Sequence, residues 1–355
     1  MDRPYILHMF TPGRQMSPFD INMAADAGYQ LVVPYTEVGL ASIAGLTQDT
    51  IFSRGPKGVA RTGIFIGGRD ALLAADMLAA AQVAMVPPFV VSLMADPSGA
   101  YTTAAAMVAC VEAALLGLPP EGLTSAEVGA AASAEASAAA SSDASAAPSS
   151  NAGAARNGLA GRRVLVLGGT GPVGRMAGVI AARAGAQVFL SSRSSQAAAD
   201  QAAAETGQRF GVRLHGTSGA DSAALRQSLA GADVLLACAA AGHQVVSADD
   251  LGAARALRVA ADVNAVPPTG IAGVAVMDNG VRLAGVGALV AGALGIGALA
   301  VGNVKYQTQQ RLLQQMRQSD QPLVLGLDEA FAVARACLAE RTADRTAARP
   351  AAPGA

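Results

Sequence analysis

Short apolar runs alternate with longer segments of mixed apolar and polar residues along most of the chain. Short runs bounded by glycine, proline and polar residues predict buried strands, and the longer segments predict helices. In the first half the predicted strands are 5–11, 31–35, 63–66 and 89–94, and the predicted helices are 17–27, 40–52, 69–86 and 102–118. In the second half the predicted strands are 163–167, 187–191, 212–215, 234–239 and 258–261, and the predicted helices are 173–184, 196–206 and 223–230. This alternation predicts an α/β fold with two parallel sheets covered by helices.

Capping signals mark several of the predicted helix ends. Ser17 is predicted to cap the first helix, with Pro18 at its first helical position. Thr102 or Thr103 is predicted to cap the fourth helix, and Gly207 is predicted to end the sixth.

Two stretches depart from this pattern. Residues 118–160 consist mostly of Ala, Ser and Gly, which have little side-chain surface to bury, so we predict a flexible insertion. An Ala-rich helix within it is the alternative. The tail 341–355 is predicted to be disordered. The chain therefore divides into an α/β domain (1–117), the insertion, a second α/β domain (161–305), C-terminal helices (306–340) and the tail.

Composition narrows the class of protein. Of the 355 residues, 52% are hydrophobic and 14% charged, and the net charge is −1, so large cores are possible and no basic stripe for nucleic acid is expected. Tryptophan is absent, which argues against a stacking surface for single strands. The three cysteines and three histidines are too scattered to predict a disulfide framework or a metal site. We therefore expect a soluble enzyme of a reducing compartment.

Membrane association is not expected. The N-terminus has no basic stretch followed by an apolar one, so it does not resemble a secretory signal. Residues 283–304 carry no charge and are long enough to span a bilayer, but they contain six glycines. Glycine at this density favours loops and close backbone contacts over a membrane helix.

A glycine-rich turn follows the predicted strand 163–167 and opens a predicted helix. Gly169, Gly171 and Gly174 form the pattern GxGxxG in the strand–turn–helix context of a dinucleotide site. Gly169 would permit the tight turn, Gly171 would let the backbone approach a pyrophosphate, and Gly174 would let the helix pack on the strand. A glycine-rich turn without a ligand is the alternative. The predicted cofactor-binding residues of this segment are Gly169, Thr170, Gly171, Pro172, Val173 and Gly174.

The next predicted strand bears on which dinucleotide binds. It ends in Ser192 and Arg193 and carries no acidic residue that could accept a hydrogen bond from a ribose 2′-hydroxyl. Hydroxyl and guanidinium groups suit a 2′-phosphate, so we favour NADP over NAD, with a solvated Arg193 as the alternative. Ala239 follows a further strand, where a small residue would let the nicotinamide end lie close to the backbone.

Longer motifs occur in one order through both predicted domains. They are ILHMFTP from Ile6, MSPFDINMA from Met16, LTQDTIFSR from Leu46, RTGIFIGG from Arg61, ADPSG from Ala95, TTAAAM from Thr102, DVNAVPP from Asp262 and GIGALAVGNVKYQTQ from Gly295. With these motifs the chain resembles the methylene-tetrahydromethanopterin dehydrogenases of methylotrophic bacteria. The resemblance covers nearly everything except the insertion and the tail.

The resemblance implies a fold and an activity. The first domain would bind the pterin, the second would be a doubly wound Rossmann domain for NAD(P), and a cleft would separate them. The reaction would transfer a hydride from methylene-tetrahydromethanopterin to NAD(P)⁺ in formaldehyde oxidation. A cytoplasmic homo-oligomer is also implied. Because some members of the family use both cofactors, the preference for NADP rests on Ser192 and Arg193 alone.

The implied chemistry needs no acid or base catalyst, because hydride loss leaves a cation delocalised over two nitrogens and moves no proton. A carboxylate near that cation would stabilise it. The predicted substrate-binding residues are Phe19, Asp20, Asp96, Thr102, Thr103 and Lys305, the first two by the resemblance, and Asn264 is added to the predicted cofactor-binding residues.

Each of these residues has a structural alternative. The aspartates would serve a helix dipole or a turn, the threonines would cap their helix, Asn264 would shape its loop, and Lys305 would be a surface charge. Arg54 and Lys57, on either side of Gly55-Pro56, could meet the acidic tail of the carrier or only water.

Two rival functions remain open. A methylenetetrahydrofolate dehydrogenase joined to a cyclohydrolase would carry Tyr-x-x-x-Lys, and none of the five tyrosines has a lysine four residues later. We therefore predict no cyclohydrolase activity. A non-catalytic NADP-binding protein is the rival from a different class.

Overall fold

The computed structural model describes residues 3–117, 158–283, 290 and 292–347. The strands are β1 (Ile6–Phe10), β2 (Leu31–Tyr35), β3 (Thr62–Ile66), β4 (Ser92–Ala95), β5 (Arg163–Leu167), β6 (Gln187–Ser192), β7 (His215–Ser218), β8 (Val234–Ala237), β9 (Val259–Asp262), β10 (Asn279–Arg282), β11 (Leu294–Ile296) and β12 (Val324–Leu325). The helices are α1 (Pro18–Asp26), α2 (Ile43–Phe52), α3 (Pro56–Val59), α4 (Ala71–Val83), α5 (Ala100–Leu116), α6 (Pro172–Arg183), α7 (Gln196–Phe210), α8 (Ser222–Leu229), α9 (Ala248–Leu251), α10 (Ala298–Gln318) and α11 (Leu327–Ala347). Most of the predicted insertion (118–157) and the end of the predicted tail (348–355) lie outside the described residues.

The first sheet has five parallel strands in the order β2-β1-β3-β4-β12. From β1 the chain adds β2 on one side, and it then adds β3 and β4 on the other side. The carboxyl ends of β1 and β3 therefore form a topological switch point. Its fifth strand, β12, comes from the C-terminal part of the chain and pairs with β4. The predicted C-terminal segment thus contributes a strand to the first sheet.

The second sheet has seven strands in the order β10-β11-β9-β8-β5-β6-β7. All pairs are parallel except β10 with β11. From β7 to β11 the order is that of the doubly wound dinucleotide-binding fold, with its switch point between β5 and β8. The predicted α/β fold with a Rossmann domain is confirmed.

Helix α5 lies between the two sheets. It packs against α10 and α11 on the side of the first sheet and against α6 and β9 on the side of the second. A helix surrounded in this way needs apolar residues on all sides. Residues Pro97–Leu116 are therefore long and apolar enough to cross a membrane by composition, but 78% of the apolar window is buried inside the fold.

Several predicted boundaries are wrong for local reasons. α7 continues past Gly207 to Phe210, because the left-handed residue that ends it is Gly211, with φ 66°. The N-cap of α5 is Gly99, and neither predicted threonine caps it. The third strand of the second sheet starts at His215, three residues later than predicted.

The uncharged run 283–304 contains both a strand and a helix start. Its described part holds β11 and the first turns of α10, which begins at Ala298. The prediction of loops and close backbone contacts is thus incomplete, because the segment also forms a strand and the start of a helix. Gly297 shows the close contacts, because a Cβ there would lie 2.1 Å from the carbonyl oxygen of Ala275.

Candidate active site

A cavity of about 1040 Å³ opens at the switch point of the first sheet. Its walls are the loops 11–17, 68–70 and 98–99, together with the start of α1, Thr103 of α5 and Lys305 of α10. These loops follow β1, β3 and β4, so the cavity occupies the position where ligands bind in open α/β sheets.

The loop after β4 reaches this cavity through a sharp turn. Ser98 and Gly99 both adopt left-handed backbone angles, with φ of 51° and 68°. The Ser98 hydroxyl donates a hydrogen bond of 2.7 Å to the carbonyl oxygen of Gly68, in the loop after β3. The turn therefore fixes two of the cavity loops to each other.

Asp96 is completely buried just below this turn. Its carboxylate accepts hydrogen bonds from the backbone N–H groups of Tyr101 and Thr102, at 3.0 and 3.1 Å, and from the Thr102 hydroxyl at 2.6 Å. Burial raises the pKa of Asp96, whereas Lys305 and these donors act in the opposite direction. The Thr102 side chain is thus directed at Asp96, which supports the first turn of α5, and it does not line the cavity.

Asp20 and Lys305 are joined through a buried glutamine. Gln309 donates from Nε2 to Asp20 Oδ1 at 2.8 Å, and its Oε1 accepts from Lys305 Nζ at 2.6 Å. Burial, followed by the nearby Asp96, raises the pKa of Asp20 to about 6. Burial likewise lowers the pKa of Lys305, and both carboxylates oppose this. Asp20 and Lys305 therefore line the cavity together, and the Asp96 carboxylate acts on both from beneath it.

Phe19 forms an apolar face beside this polar group. Its ring is 47% exposed, and Lys305 Nζ lies 3.7 Å from the ring centroid, in cation–π contact. Thr103 lines the cavity as well. The structure thus brings together Phe19, Asp20, Thr103 and Lys305 at the cavity and places Asp96 beneath it.

A second cavity, of about 710 Å³, lies at the switch point of the second sheet. The glycine-rich turn forms one side, and α6 begins there, so its unpaired N–H groups suit a phosphate. The left-handed residue of this turn is Gly168, with φ 69°, one position before the residue to which we assigned the tight turn. A Cβ at Gly169 would lie 2.8 Å from Leu190, and one at Gly174 would lie 2.5 Å from the carbonyl oxygen of Gly168.

The predicted residues of this turn divide into two sets. Thr170 and Gly171 line the cavity with Gly168, whereas the others shape the turn without lining it. The close packing leaves no room for a side chain at Gly168, Gly169 or Gly174 and fits a backbone cradle for a pyrophosphate. The residues that shape the turn are Gly169, Pro172, Val173 and Gly174.

Ser192 and Arg193 line the opposite side of this cavity, and Ala239 lines it too. The Ser192 hydroxyl is 2.8 Å from that of Ser194. Among the described residues, no acidic side chain lines the cavity. The polar groups available to a ribose substituent there are hydroxyls and a guanidinium.

Asn264 does not line the second cavity. Its Oδ1 accepts from the backbone N–H groups of Gly242 and Val266, both at 3.0 Å, and its Nδ2 donates to the carbonyl oxygen of Pro268 at 2.8 Å. The side-chain amide thus holds the loop after β9 in shape. This is the alternative to cofactor binding that the sequence analysis gave for Asn264.

One turn of α5 connects the two cavities. Thr103 lines the first, and Met107, four residues later on the same face, has its sulfur 3.6 Å from Sγ of Cys238. Cys238 lines the second cavity. Four residues of an α-helix rise about 6 Å, so one helical turn separates Thr103, which lines the first cavity, from Met107, which contacts a residue lining the second.

The sequence analysis did not predict three residues in or next to the first cavity, namely Gln309, Arg14 and Arg69. Gln309 was not predicted, although it follows Lys305 by four positions and therefore shares its helix face. Arg14 and Arg69 line the cavity, whereas Arg54 donates to the Pro4 carbonyl at the amino ends of the strands. Arg54 is thus directed away from the cavity.

A cavity beside a glycine-rich turn, with a second cavity near it, is the arrangement typical of oxidoreductases that use pyridine nucleotides. A family model described as methylene-tetrahydromethanopterin dehydrogenase, N-terminal, matches residues 18–98. The NAD(P)-dependent methylenetetrahydromethanopterin dehydrogenase of Methylorubrum extorquens is 43% identical to the chain, over 93% of the chain and 97% of that protein. The chain belongs to the methylene-tetrahydromethanopterin dehydrogenase family.

Other similarities are more distant. A second protein of Methylorubrum extorquens, described as bifunctional protein MdtA, is 30% identical over 79% of the chain and 83% of its own length. The structure of shikimate 5-dehydrogenase from Listeria monocytogenes covers 93% of the chain and 96% of its own length, with 16% identity and a TM-score of 0.45.

Proposed function

We propose that the protein oxidises methylene-tetrahydromethanopterin to the methenyl form and transfers the hydride to NAD(P)⁺. The observation that carries the proposal is the link between the cavities, in which Thr103 lines one and Met107 contacts Cys238 of the other. Hydride transfer requires the two reacting rings to be held together at short distance with water excluded. The relative that supports the choice of substrate covers nearly the whole chain.

The first cavity suits the pterin. The exposed Phe19 ring would support the flat ring system, and Lys305 would donate a hydrogen bond to its polar edge. Asp20 and Asp96 together exceed the charge of Lys305 by one, so this group of three side chains is negative when both carboxylates are ionised. Negative charge there stabilises the cation that forms as the hydride leaves. Arg14 and Arg69 would face the acidic tail of the carrier.

The second cavity would hold the dinucleotide. The backbone of Gly168–Gly171 and the start of α6 would bind its pyrophosphate, and Ser192 with Arg193 would bind a 2′-phosphate. On this basis we favour NADP over NAD. The bound nicotinamide supplies the acceptor for the hydride, and the side chains described above bind, orient and exclude water, with no acid or base assigned among them.

The decisive test measures absorbance at 340 nm with purified protein, methylene-tetrahydromethanopterin and either NADP⁺ or NAD⁺. We expect reduced cofactor to form, faster with NADP⁺, and the tetrahydrofolate analogue to react slowly. Faster turnover of the folate analogue would identify a methylenetetrahydrofolate dehydrogenase instead. Cofactor binding without turnover on either carrier would identify a non-catalytic NADP-binding protein.

We also propose that the protein works as a homo-oligomer in the cytoplasm. β10 is an edge strand whose four residues are exposed, with Val281 at its centre 51% exposed and Met277 close by 74% exposed. Among the described residues no strand pairs with the outer side of β10, and an exposed edge with apolar neighbours is a surface that can pair with another chain. Free thiols at Cys110, Cys238 and Cys337 suit a reducing compartment. Sedimentation equilibrium would give the subunit number, and a monomer at micromolar concentration would contradict the proposal.

A further inference from the structure

The Gln309 side chain is completely buried and uses both ends of its amide between two charged groups. Asp20 belongs to α1, whereas Lys305 and Gln309 belong to α10, which enters from the second sheet. Among the described residues, Lys305 forms no direct ion pair with Asp20 or Asp96. The amide is therefore what separates the ammonium group from the Asp20 carboxylate.

The chemistry of the three groups permits only one orientation of the amide. An ammonium group can only donate, so it must face the amide oxygen, and an ionised carboxylate can only accept, so it must face the amide nitrogen. Neither a carboxylate nor an apolar side chain at position 309 could satisfy both neighbours. Glutamine is the residue that matches this site in both polarity and length.

Lys305 is held on its other sides as well. Its ammonium lies over the Phe19 ring, and a Cβ at Gly99 would lie 3.1 Å from Cε of Lys305. Gly99 has a left-handed φ of 68°, so the turn brings its backbone against the lysine. The backbone at Gly99, the Phe19 ring and the Gln309 amide together hold the Lys305 ammonium group at the cavity wall.

We propose that Gln309 is a positioning residue, which keeps Lys305 directed at the pterin by preventing its direct pairing with Asp20. The inference rests on the proposed function of the first cavity. Without the amide, the ammonium would move to the carboxylate, because opposite charges attract strongly in a poorly solvated site. That pairing would draw Lys305 away from Phe19 and neutralise the carboxylate that stabilises the cation.

Two substitutions of similar size should shift the acid side of the pH profile in opposite directions. The groups that face Asp20 are Asp96, Lys305, Gln309 and Ser17. In Gln309→Leu the direct pair with Lys305 would lower the pKa of Asp20, and the acid limb of kcat/KM for the pterin would move down by about one pH unit or more. In Gln309→Glu an added carboxylate would raise that pKa, and the limb would move up.

The affinity for the two substrates should change unequally. In Gln309→Leu we expect kcat/KM for the pterin to fall about 10-fold or more, as for the loss of hydrogen bonds to charged groups, with the KM for NADP⁺ unchanged. Gln310→Leu is the matched control, because Gln310 is the next residue of α10 and its Oε1 has no hydrogen-bond partner. It should leave both the profile and the pterin KM unaltered.

An acid limb that stays in place in both Gln309 variants would overturn the proposal, as would an equal rise of KM for the pterin and for NADP⁺. Circular dichroism and thermal unfolding would show whether each variant folds, and Gln309→Met replaces Gln309→Leu if it does not. Titration of Asp20 by ¹³C NMR, assigned with Asp20→Asn, gives the same shifts without turnover. An inactive wild-type protein would therefore refute the proposed function, whereas unmoved NMR titrations would refute the role of Gln309.

Discussion

At the residue scale, Asp20 combines a structural cost with a proposed catalytic use. Burial and the neighbouring Asp96 raise its pKa from 3.8 to about 6. A carboxyl group whose pKa is higher in the native than in the unfolded state binds more protons in the native state between those values, so stability falls as the pH rises from about 4 to 6. Above pH 6 the cost of the buried charge is present in full. The same charge would stabilise the cationic product.

Asp20→Asn should therefore stabilise the protein while reducing its activity. We expect the free energy of unfolding at pH 8 to rise by about 1 to 3 kcal/mol, because a shift of one pKa unit corresponds to about 1.4 kcal/mol. The gain should shrink at pH 5, and turnover should fall at both pH values. Urea unfolding and the 340 nm assay give the two quantities. Asp26→Asn, an exposed position at the end of α1, is the control, and an equal effect there would contradict the argument.

Arg193 should distinguish the two dinucleotides. It lines the second cavity, is exposed and is the cation nearest in sequence to the hydroxyls of Ser192 and Ser194. We expect Arg193→Ala to raise the KM for NADP⁺ about 10-fold or more with little change for NAD⁺, because only NADP⁺ carries the 2′-phosphate. Steady-state kinetics with both cofactors checks this. Arg213→Ala, exposed in the same domain and outside the cavity, is the control, and equal losses for both cofactors would refute the assignment.

At the element scale, the contact between β5 and α6 depends on the absence of a side chain at Gly174. A Cβ there would lie 2.5 Å from the Gly168 carbonyl oxygen and 2.9 Å from Cα of Gly169, and these backbone atoms cannot rotate away. The start of α6 must therefore move away from the strand if residue 174 carries a side chain, and the phosphate cradle moves with it.

Gly174→Ala should thus weaken both the fold and the cofactor site. We expect a loss of about 1 to 3 kcal/mol in unfolding free energy, typical of overpacking, and a larger Kd for NADP⁺. Urea unfolding and fluorescence titration of NADPH measure the two effects. Gly302→Ala provides the comparison, because Gly302 lies in α10 with nothing within 4 Å of its added Cβ. Alanine there should stabilise the helix by a few tenths to 1 kcal/mol. A lower unfolding free energy in both variants would mean that the protein does not tolerate alanine for glycine in general, and would contradict the argument for Gly174.

Burial on both faces makes a strand easier to recognise in the sequence, because every position then favours an apolar residue. β3 and β8 are buried at every position, and apolar residues dominate both strands, with sequences TGIFI and VLLA. β7 consists of four half-buried residues, β10 is wholly exposed, and β12 has two residues. Such edge strands gain their hydrogen bonds from a neighbour and need no apolar pattern of their own, which is why the first was misplaced and the other two were not predicted.

At the scale of the whole molecule, the chain interleaves its two sheets. α10 begins beside β11 of the second sheet and packs against α1, β3 and β4 of the first. β12 then completes the first sheet, and α11 returns to α5, where Arg335 forms a two-bond ion pair with the buried Glu112. Lys305 and Gln309 thus reach the first cavity because the connection passes from one sheet to the other.

The segment between the two halves should be dispensable. The chain re-enters the described structure at Gly158, where a Cβ would lie 3.0 Å from Cβ of Leu115, so the ends of the segment are adjacent. A shorter connection can span this gap, and the entropic cost of closing a flexible loop falls slightly as the loop is shortened. We expect a protein lacking residues 125–155 to keep most of its turnover and thermal stability. A several-fold drop in kcat, with the subunit number unchanged, would mean that the segment takes part in the active site.

The sequence by itself determined the α/β class, the family and the glycine-rich turn, because buried strands need continuous apolar residues and a phosphate cradle needs glycines at fixed spacing. It also placed Phe19, Asp20 and Lys305 among the candidate residues. Only the tertiary structure decided which of these meet, since Asp20 and Gln309 lie 289 residues apart and touch only because α10 crosses to α1. It likewise directed Thr102 at Asp96 and Asn264 at its own loop. The side chain of a polar residue satisfies whichever partner the fold brings within reach, and a linear pattern does not contain that information.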